Sequence, residues 1–241
     1  EIDFGNGKLK AVLEGRNENK ALLKLKYDGK LENILNLIGK MPLPPYIRRK
    51  EEDSHLSDQD RKRYQTIFAS LPGAIAAPTA GLHFTPNIIK SLNKLGIDTT
   101  CLTLHVGVGT FQPIRVENIT KHKMQSEQFY ISKETSKAIF NARKDLKKIV
   151  GVGSTVTRVL ESVEFEGLKP SDISGWTDLF IYPGRKFRNV DHLLTNFHLP
   201  KSTLYLLVCT FAGGKLIKEA YREAITNKYR FFSYGDAMLI I

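Results

Sequence analysis

Hydrophobic and polar positions change period several times along this chain, and each change marks an element. Leu23, Leu25 and Tyr27 alternate with Lys24 and Lys26, the two-residue period of a half-buried strand. Asn6-Gly7 and Asp28-Gly29 are turn signals, so residues 1–30 read as short strands. Such a piece cannot complete a sheet by itself. It opens on Glu1, and the expectation is that more strands precede it. Residues 31–40 set Ile34, Leu35 and Ile38 on one face of a short helix. Pro42-Leu43-Pro44-Pro45 then stiffens the chain, and a domain boundary is placed there, between residues 1–40 and 41–241.

Helical spacing returns at Tyr64, Ile67, Phe68 and Leu71, with Ser57 and Asp60 as the cap. Pro72-Gly73 ends that helix. Residues 76–85 are small and apolar up to Gly81, then present His83 and close on Thr85-Pro86, a helix N-cap and first helical residue. The helix that follows is expected to bury Ile88, Ile89, Leu92 and Leu95 before Gly96. Residues 98–106 have strand content and lead to His105, Gly107 and Gly109. Residues 132–147 read as a helix with Ala138, Ile139 and Ala142 inward, and residues 148–152 as a short buried strand. Gly153-Ser154-Thr155 turns into a helix at 157–161, a geometry that presents backbone N–H groups to an anion. Residues 179–182 and 193–197 read as buried strands, residues 202–211 are apolar throughout, and residues 215–226 are amphipathic. Strands alternating with helices argue for an α/β fold with a largely parallel sheet and flanking helices. Ligands then sit beyond the carboxyl ends of strands, where His105, Ser154, Pro183 and His198 fall.

Length and charge narrow the picture. The 241 residues allow one large domain or two modest ones, and 41% hydrophobic residues can build a proper core. The formal net charge of +11 is expected of a protein that meets phosphate-rich partners, and is also compatible with an ordinary basic protein. Arg48, Arg49, Lys50, Arg61, Lys62, Arg63, Arg185, Lys186 and Arg188 are phosphate-contact candidates or plain solvated charges. Cys101 and Cys209 lie in apolar runs without Cys-x-x-Cys spacing, as buried thiols in a reducing cytoplasm would. No apolar run is long enough to span a membrane.

Several blocks together resemble the S-adenosylmethionine:tRNA ribosyltransferase-isomerase family of queuosine biosynthesis. They are Met41-Pro42-Leu43-Pro44-Pro45-Tyr46-Ile47, Arg63-Tyr64-Gln65-Thr66, residues 76–85, Leu102-Thr103-Leu104-His105-Val106-Gly107, Gly109-Thr110-Phe111, Ser174-Gly175-Trp176-Thr177, Thr195-Asn196-Phe197-His198-Leu199-Pro200-Lys201-Ser202 and residues 229–238. They cover nearly the whole chain in the family's order. Gln125 stands where the family segment usually has a second histidine, and residues 153–158 depart from a Thr-Thr-Ser pattern while keeping Thr155 and Arg158. The resemblance implies that residues 1–40 are the remnant of a smaller β-barrel domain with a connecting helix, and 41–241 the catalytic α/β domain. It implies that the ribosyl part of S-adenosylmethionine moves to the aminomethyl group of 7-aminomethyl-7-deazaguanine (preQ1) at the tRNA wobble position. Adenine and methionine leave, and the product is epoxyqueuosine-tRNA.

The residue types fit such chemistry. A sulfonium acidifies the adjacent ribose carbon, histidine is a natural base near neutral pH, and a carboxylate can stabilise the cation. The catalytic candidates are His83, His105, His198 and Glu127. His198 contacts substrate or fixes the Pro200 turn; Arg158 contacts an anion or pairs with Glu161 or another helix; Asp178 binds ribose hydroxyls or caps a strand. Thr79, Gly81, Gly107, Gly109, Thr155, Arg158, Asp178, Asn196, Lys201, Tyr234 and Asp236 are the substrate-binding candidates. The co-substrate is S-adenosylmethionine, no metal is expected, and the expected state is a cytoplasmic monomer. Two other readings remain at this point: a tRNA-binding module without catalysis, and an S-adenosylmethionine-dependent RNA methyltransferase. The second lacks a Gly-rich strand-to-helix loop followed by an acidic strand end.

Overall fold

The computed structural model describes residues 1–17, 20–44, 46–49, 54–107, 114 and 116–241, with side chains at all of these except 20 and 54–57. Contacts divide the chain into two compact units, Glu1–Met41 with Arg49–Arg61 and Pro42–Arg48 with Lys62–Ile241.

In the first unit, β1 (Ile2–Phe4), β2 (Leu9–Asn17) and β3 (Lys20–Lys26) form an antiparallel meander in that order. Val12 faces Lys24 and Ala11 faces Leu25 across β2 and β3. The sheet is open: among the described residues no strand joins β3 back to β1, so the expected barrel remnant is a three-stranded meander. Alternation of Leu and Lys is common to both architectures, and only Leu9 and Ala11 of these strands are buried hydrophobics. Helix α1 (Leu31–Ile38) follows, and Arg61 in α2 (Ser54–Arg63) donates to the carbonyls of Asn36 and Gly39 at its end. Arg49 forms a two-pronged ion pair with Asp60.

The second unit overturns the expected parallel sheet. Strands β4 (Thr103–Leu104), β5 (Glu127–Ile131) and β7 (Ile173–Thr177) form one sheet, antiparallel throughout. Strands β6 (Val150–Val152), β8 (His192–Asn196) and β9 (Ala237–Ile240) form another. There β6 and β8 are parallel, but β9 runs against β8. Strands do alternate with helices, as the pattern reads. Successive strands, however, go to different sheets, β5 to one, β6 to the other, β7 back again and β8 across. A parallel sheet needs successive crossovers within one sheet, and here only β6 to β8 makes one.

Local readings fail where a side chain diverts the backbone. Helix α2 ends at Arg63, not beyond Leu71. Thr66 N–H donates to the Gln65 side chain and Phe68 N–H to Thr66 Oγ1, which replaces helical bonding just after Tyr64. The apolar run 179–182 is a loop whose Ile181 fills the core, while Ile173–Thr177 is the strand. Residues 98–106 contribute only the two-residue β4. Helix α3 (Pro86–Lys94) is capped by Thr85 Oγ1, as its sequence suggests, yet buries none of its residues. Cys101 is exposed and Cys209 half-buried, not both buried.

Helix α4 (Lys133–Lys144) is capped by Ser132 Oγ and directs Ile139 into the core. Helix α5 (Ser154–Ser162) touches strands of both sheets of this unit, and seven of its nine residues are buried. Gly151 lets it come close, because a Cβ there would stand 2.8 Å from Thr157 Oγ1. On one side Val159 and Leu160 pack with Phe129, Ile131 and Phe165. A second cluster joins Leu193 and Phe197 to Leu207 and Val208 of α6 (Thr203–Ala212) and Ile217 and Tyr221 of α7 (Gly214–Thr226). The buried charged residues of α5, Arg158 and Glu161, are both hydrogen-bonded, with Arg158 Nη2 left without a partner among the described residues. Glu161 accepts the backbone N–H groups of Arg188, Asn189 and Val190, which fixes that turn.

Candidate active site

Two clefts flank the extended segment 105–107. Its side chains alternate, so Val106 lines one cleft while His105 and Gly107 line the other. Ile75 and Ala76 donate their N–H groups to the Val106 carbonyl, which ties residues 75–76 to this segment.

The first cleft is open to solvent. Small residues form much of its wall: Ala77, Pro78, Thr79, Ala80, Gly153 and Ser154. Gly153 has φ of 96°, a left-handed value, and starts α5 so that its first N–H groups lie at the cleft. The short 3-10 turn Thr79–His83 carries a hydrogen-bonded chain. Thr79 Oγ1 donates to Asn196 Oδ1 (3.2 Å), and Asn196 Nδ2 meets His83 Nε2 (3.0 Å). An amide nitrogen only donates, so His83 Nε2 accepts and the neutral ring carries its proton on Nδ1. Burial lowers the pKa of His83, opposed by Asp236 and reinforced by Arg230. His198 also lines this cleft and shares a 2.8 Å hydrogen bond with Thr195 Oγ1. Desolvation brings its pKa down to about 4, so the ring is neutral at pH 7. Its backbone N–H donates to Tyr221, which holds the turn. His198 thus supports its turn through its backbone and lines the cleft.

Across this cleft Tyr46, Phe232 and Ser233 close the wall. Ser233 Oγ shares a 2.6 Å hydrogen bond with Tyr46 and accepts one of 3.1 Å from the buried Tyr64 hydroxyl. Their loop is pinned by Asp236, which accepts from Arg230 backbone and guanidinium. Gly235 is indispensable there, since a Cβ would overlap the carbonyls of Arg230 and Phe231.

The second cleft is more open and brings together His105, Gly107, Ser126, Glu127, Gln128 and Trp176. Under it lies a buried ion pair. Arg158 Nη1 donates to Glu127 Oε2 (2.8 Å), with both side chains only 3% exposed. Glu127 Oε1 accepts the Gly107 N–H (3.0 Å), and Arg158 Nε donates to the Leu179 carbonyl. Arg158 thus takes the pairing option, though with Glu127 and not Glu161.

The structure gathers Thr79, Thr155, Asn196, His198 and, through Asn196, His83 at the first cleft, and His105, Gly107 and Glu127 at the second. Gly81 is buried beside Thr66, where a Cβ would stand 2.9 Å from Cγ2. Tyr234 packs edge-on against Tyr64, and Asp236 is engaged with Arg230. Asp178 and Lys201 are exposed and line neither cleft. Gly109 lies outside the described residues, as do Thr110, Phe111 and Lys50. Arg49, Arg61 and Arg188 are engaged with Asp60, two carbonyls and Glu164. Sequence reasoning missed Thr195, Trp176 and the Tyr46–Ser233–Tyr64 group as site components. Tyr46 and Ser233 are 187 residues apart, and no local pattern links them.

Comparison with known proteins decides what this arrangement belongs to. The family model described as queuosine biosynthesis protein matches residues 1–240. The chain belongs to that family. Curated members named S-adenosylmethionine:tRNA ribosyltransferase-isomerase are 48% identical in Halothermothrix orenii, over all of this chain and 69% of the relative, and 50% identical in Acetivibrio thermocellus, over 98% and 68%. A solved S-adenosylmethionine tRNA ribosyltransferase from Thermotoga maritima superposes with a TM-score of 0.57 at 35% identity, over 97% of this chain and 62% of that one. Among the described residues no helix is long and apolar enough to cross a membrane.

Proposed function

We propose that this chain acts as an S-adenosylmethionine:tRNA ribosyltransferase-isomerase, moving the ribosyl group of S-adenosylmethionine onto preQ1 in tRNA to form epoxyqueuosine. The observation that carries this reading is the Thr79–Asn196–His83 chain at the edge of a cleft walled by small residues, in a member of this family. The donor occupies the first cleft. Its carboxylate meets the free N–H groups at the start of α5, beside Thr155. The small wall residues let the nucleoside approach the backbone closely.

The sulfonium activates the neighbouring ribose carbon, so the protein's task is proton transfer and positioning. His83 offers Nδ1–H as a donor that assists departure of adenine. The ribose reaches past segment 105–107 to His105, which takes the proton of the ribose carbon next to the sulfonium. The new bond joins the aminomethyl nitrogen to the rearranged pentose, while adenine and methionine leave. Glu127 acts from below, through its bonds to Gly107 and Arg158. A monomer is the working unit we propose, and tRNA as substrate supports a cytoplasmic site of action.

The test is incubation with S-adenosylmethionine and preQ1-containing tRNA. Adenine release with the matching mass gain on tRNA is the expected result. A methyl gain with S-adenosylhomocysteine, or binding without turnover, overturns the reading. His105→Ala is expected to cut turnover far more than tRNA affinity, and an equal fall in both removes His105 from proton transfer.

A further inference from the structure

Trp176 is the only tryptophan in the chain, and it is 67% exposed. A tryptophan side chain buries more apolar area than almost any other when given the chance, so this much exposure calls for an explanation. Its neighbours supply one. Across strands β5 and β7 the side chains alternate. Glu127, Phe129, Ile131 and Thr177 point inward, and Gly175 leaves room for the Phe129 ring at 3.2 Å from where its Cβ would stand. The outward face carries Gln128, paired in register with Trp176, and Tyr130, paired with Ser174. Tyr130 is 40% exposed, and its hydroxyl donates to Asp172, which fixes the ring. This face therefore presents two exposed aromatic rings with amide and hydroxyl groups between them. Exposed lysines flank β5 in the chain, Lys121 and Lys123 before it and Lys133 after it. Trp176 and Gln128 also line the second cleft with His105.

We propose that this outer sheet face is a stacking platform for unpaired bases of an RNA, with Trp176 holding the base that reacts at the second cleft. An antiparallel sheet with solvent-facing aromatics between polar groups suits single-stranded RNA, because every base has a π-face and the backbone is anionic. The net charge of +11 is complementary to that occupant. The inference rests on the function proposed above only in taking the RNA to be tRNA and the stacked base to be the acceptor. On that reading the aminomethyl group points to His105, where the ribose of the donor reaches past segment 105–107 from the first cleft.

A single tryptophan makes the test direct. Anticodon stem–loop RNA containing preQ1 is titrated into the protein while tryptophan emission is followed, with S-adenosylmethionine alone as the second titrant. RNA is expected to quench the emission and S-adenosylmethionine to leave it unchanged. Trp176→Ala is expected to weaken RNA binding about tenfold, Trp176→Phe by no more than about threefold, and neither to change S-adenosylmethionine affinity. Both substitutions are at an exposed position, and circular dichroism checks that the fold is kept. Unquenched emission, RNA affinity unchanged in Trp176→Ala, or quenching by S-adenosylmethionine in place of RNA overturns the platform. The two readings fail separately. Adenine release with an unresponsive Trp176 removes the platform and leaves the enzyme, whereas quenching without adenine release keeps the platform and removes the reaction.

Discussion

The two clefts share one extended segment and differ in almost everything else. The first is walled by small residues and by His198, hydrogen-bonded to Thr195 and neutral, with His83 held behind the wall by Asn196. The second is open, with an exposed indole at its edge and a buried ion pair under its floor. Preorganised donors and acceptors suit a small charged molecule, since little must reorganise when it arrives. An open aromatic edge suits part of a polymer whose remaining contacts lie elsewhere. The difference shows where rigidity is placed. In the first cleft the wall itself is fixed. In the second, the support beneath is fixed, and Glu127 transmits it to the Gly107 backbone.

The comparison breaks most sharply at that support. Glu127→Ala leaves the Arg158 guanidinium buried without its carboxylate, and a stability loss of about 3–5 kcal/mol is expected by urea denaturation. Glu127→Gln keeps an acceptor for Gly107 N–H and is expected to lose less. An Ala variant as stable as the parent would mean that the pair does not hold the second cleft. The first cleft is instead sensitive to acid. The His198 pKa lies near 4 in the folded protein against 6.5 ordinarily. The unfolded chain therefore binds the proton first, so His198 destabilises the fold as pH falls from 6.5 towards 4 and adds nothing more below that. The full effect is up to about 3 kcal/mol. His198→Gln is expected to flatten this part of the stability–pH curve, and an unchanged slope would place the acid sensitivity elsewhere.

The same contrast explains what could be read from the sequence. Local signals held: the Thr85 cap, the turn at Gly153, and Ile139 turned inward on α4. The family was legible because its blocks are contiguous. Sheet membership was not, because nothing in β5 or β6 states that they join different sheets. Nor was the strand Ile173–Thr177, whose Ser174 and Gly175 hide the alternation, while the more apolar run 179–182 is core-filling loop. At the site, the histidines were visible as residue types, but their partners were not. Arg158 lies 31 residues from Glu127, and Asn196 lies 113 from His83. Trp176 passed as a family marker because its exposure is a property of an edge strand in a folded sheet.

The finest test concerns the hydrogen-bond order in the first cleft. Thr79 Oγ1 holds Asn196 Oδ1, and this orients the amide so that Nδ2 faces His83. Valine has the shape of threonine without the hydroxyl. In Thr79→Val the carboxamide loses the contact that distinguishes its two ends, and can turn its oxygen toward His83. An oxygen there accepts a proton from Nε2 and favours the charged ring, so the depressed pKa of His83 is expected to rise toward its ordinary value. The stability cost is small, about 1 kcal/mol for one hydrogen bond. Titration of the His83 ring by NMR reads the shift, with Thr79→Ser as the variant that restores the hydroxyl. A His83 pKa that stays unmoved in Thr79→Val would show that burial, with the Asp236 and Arg230 charges, sets it. The ring would then be held neutral by the cleft wall and not by the order of the Thr79–Asn196 pair.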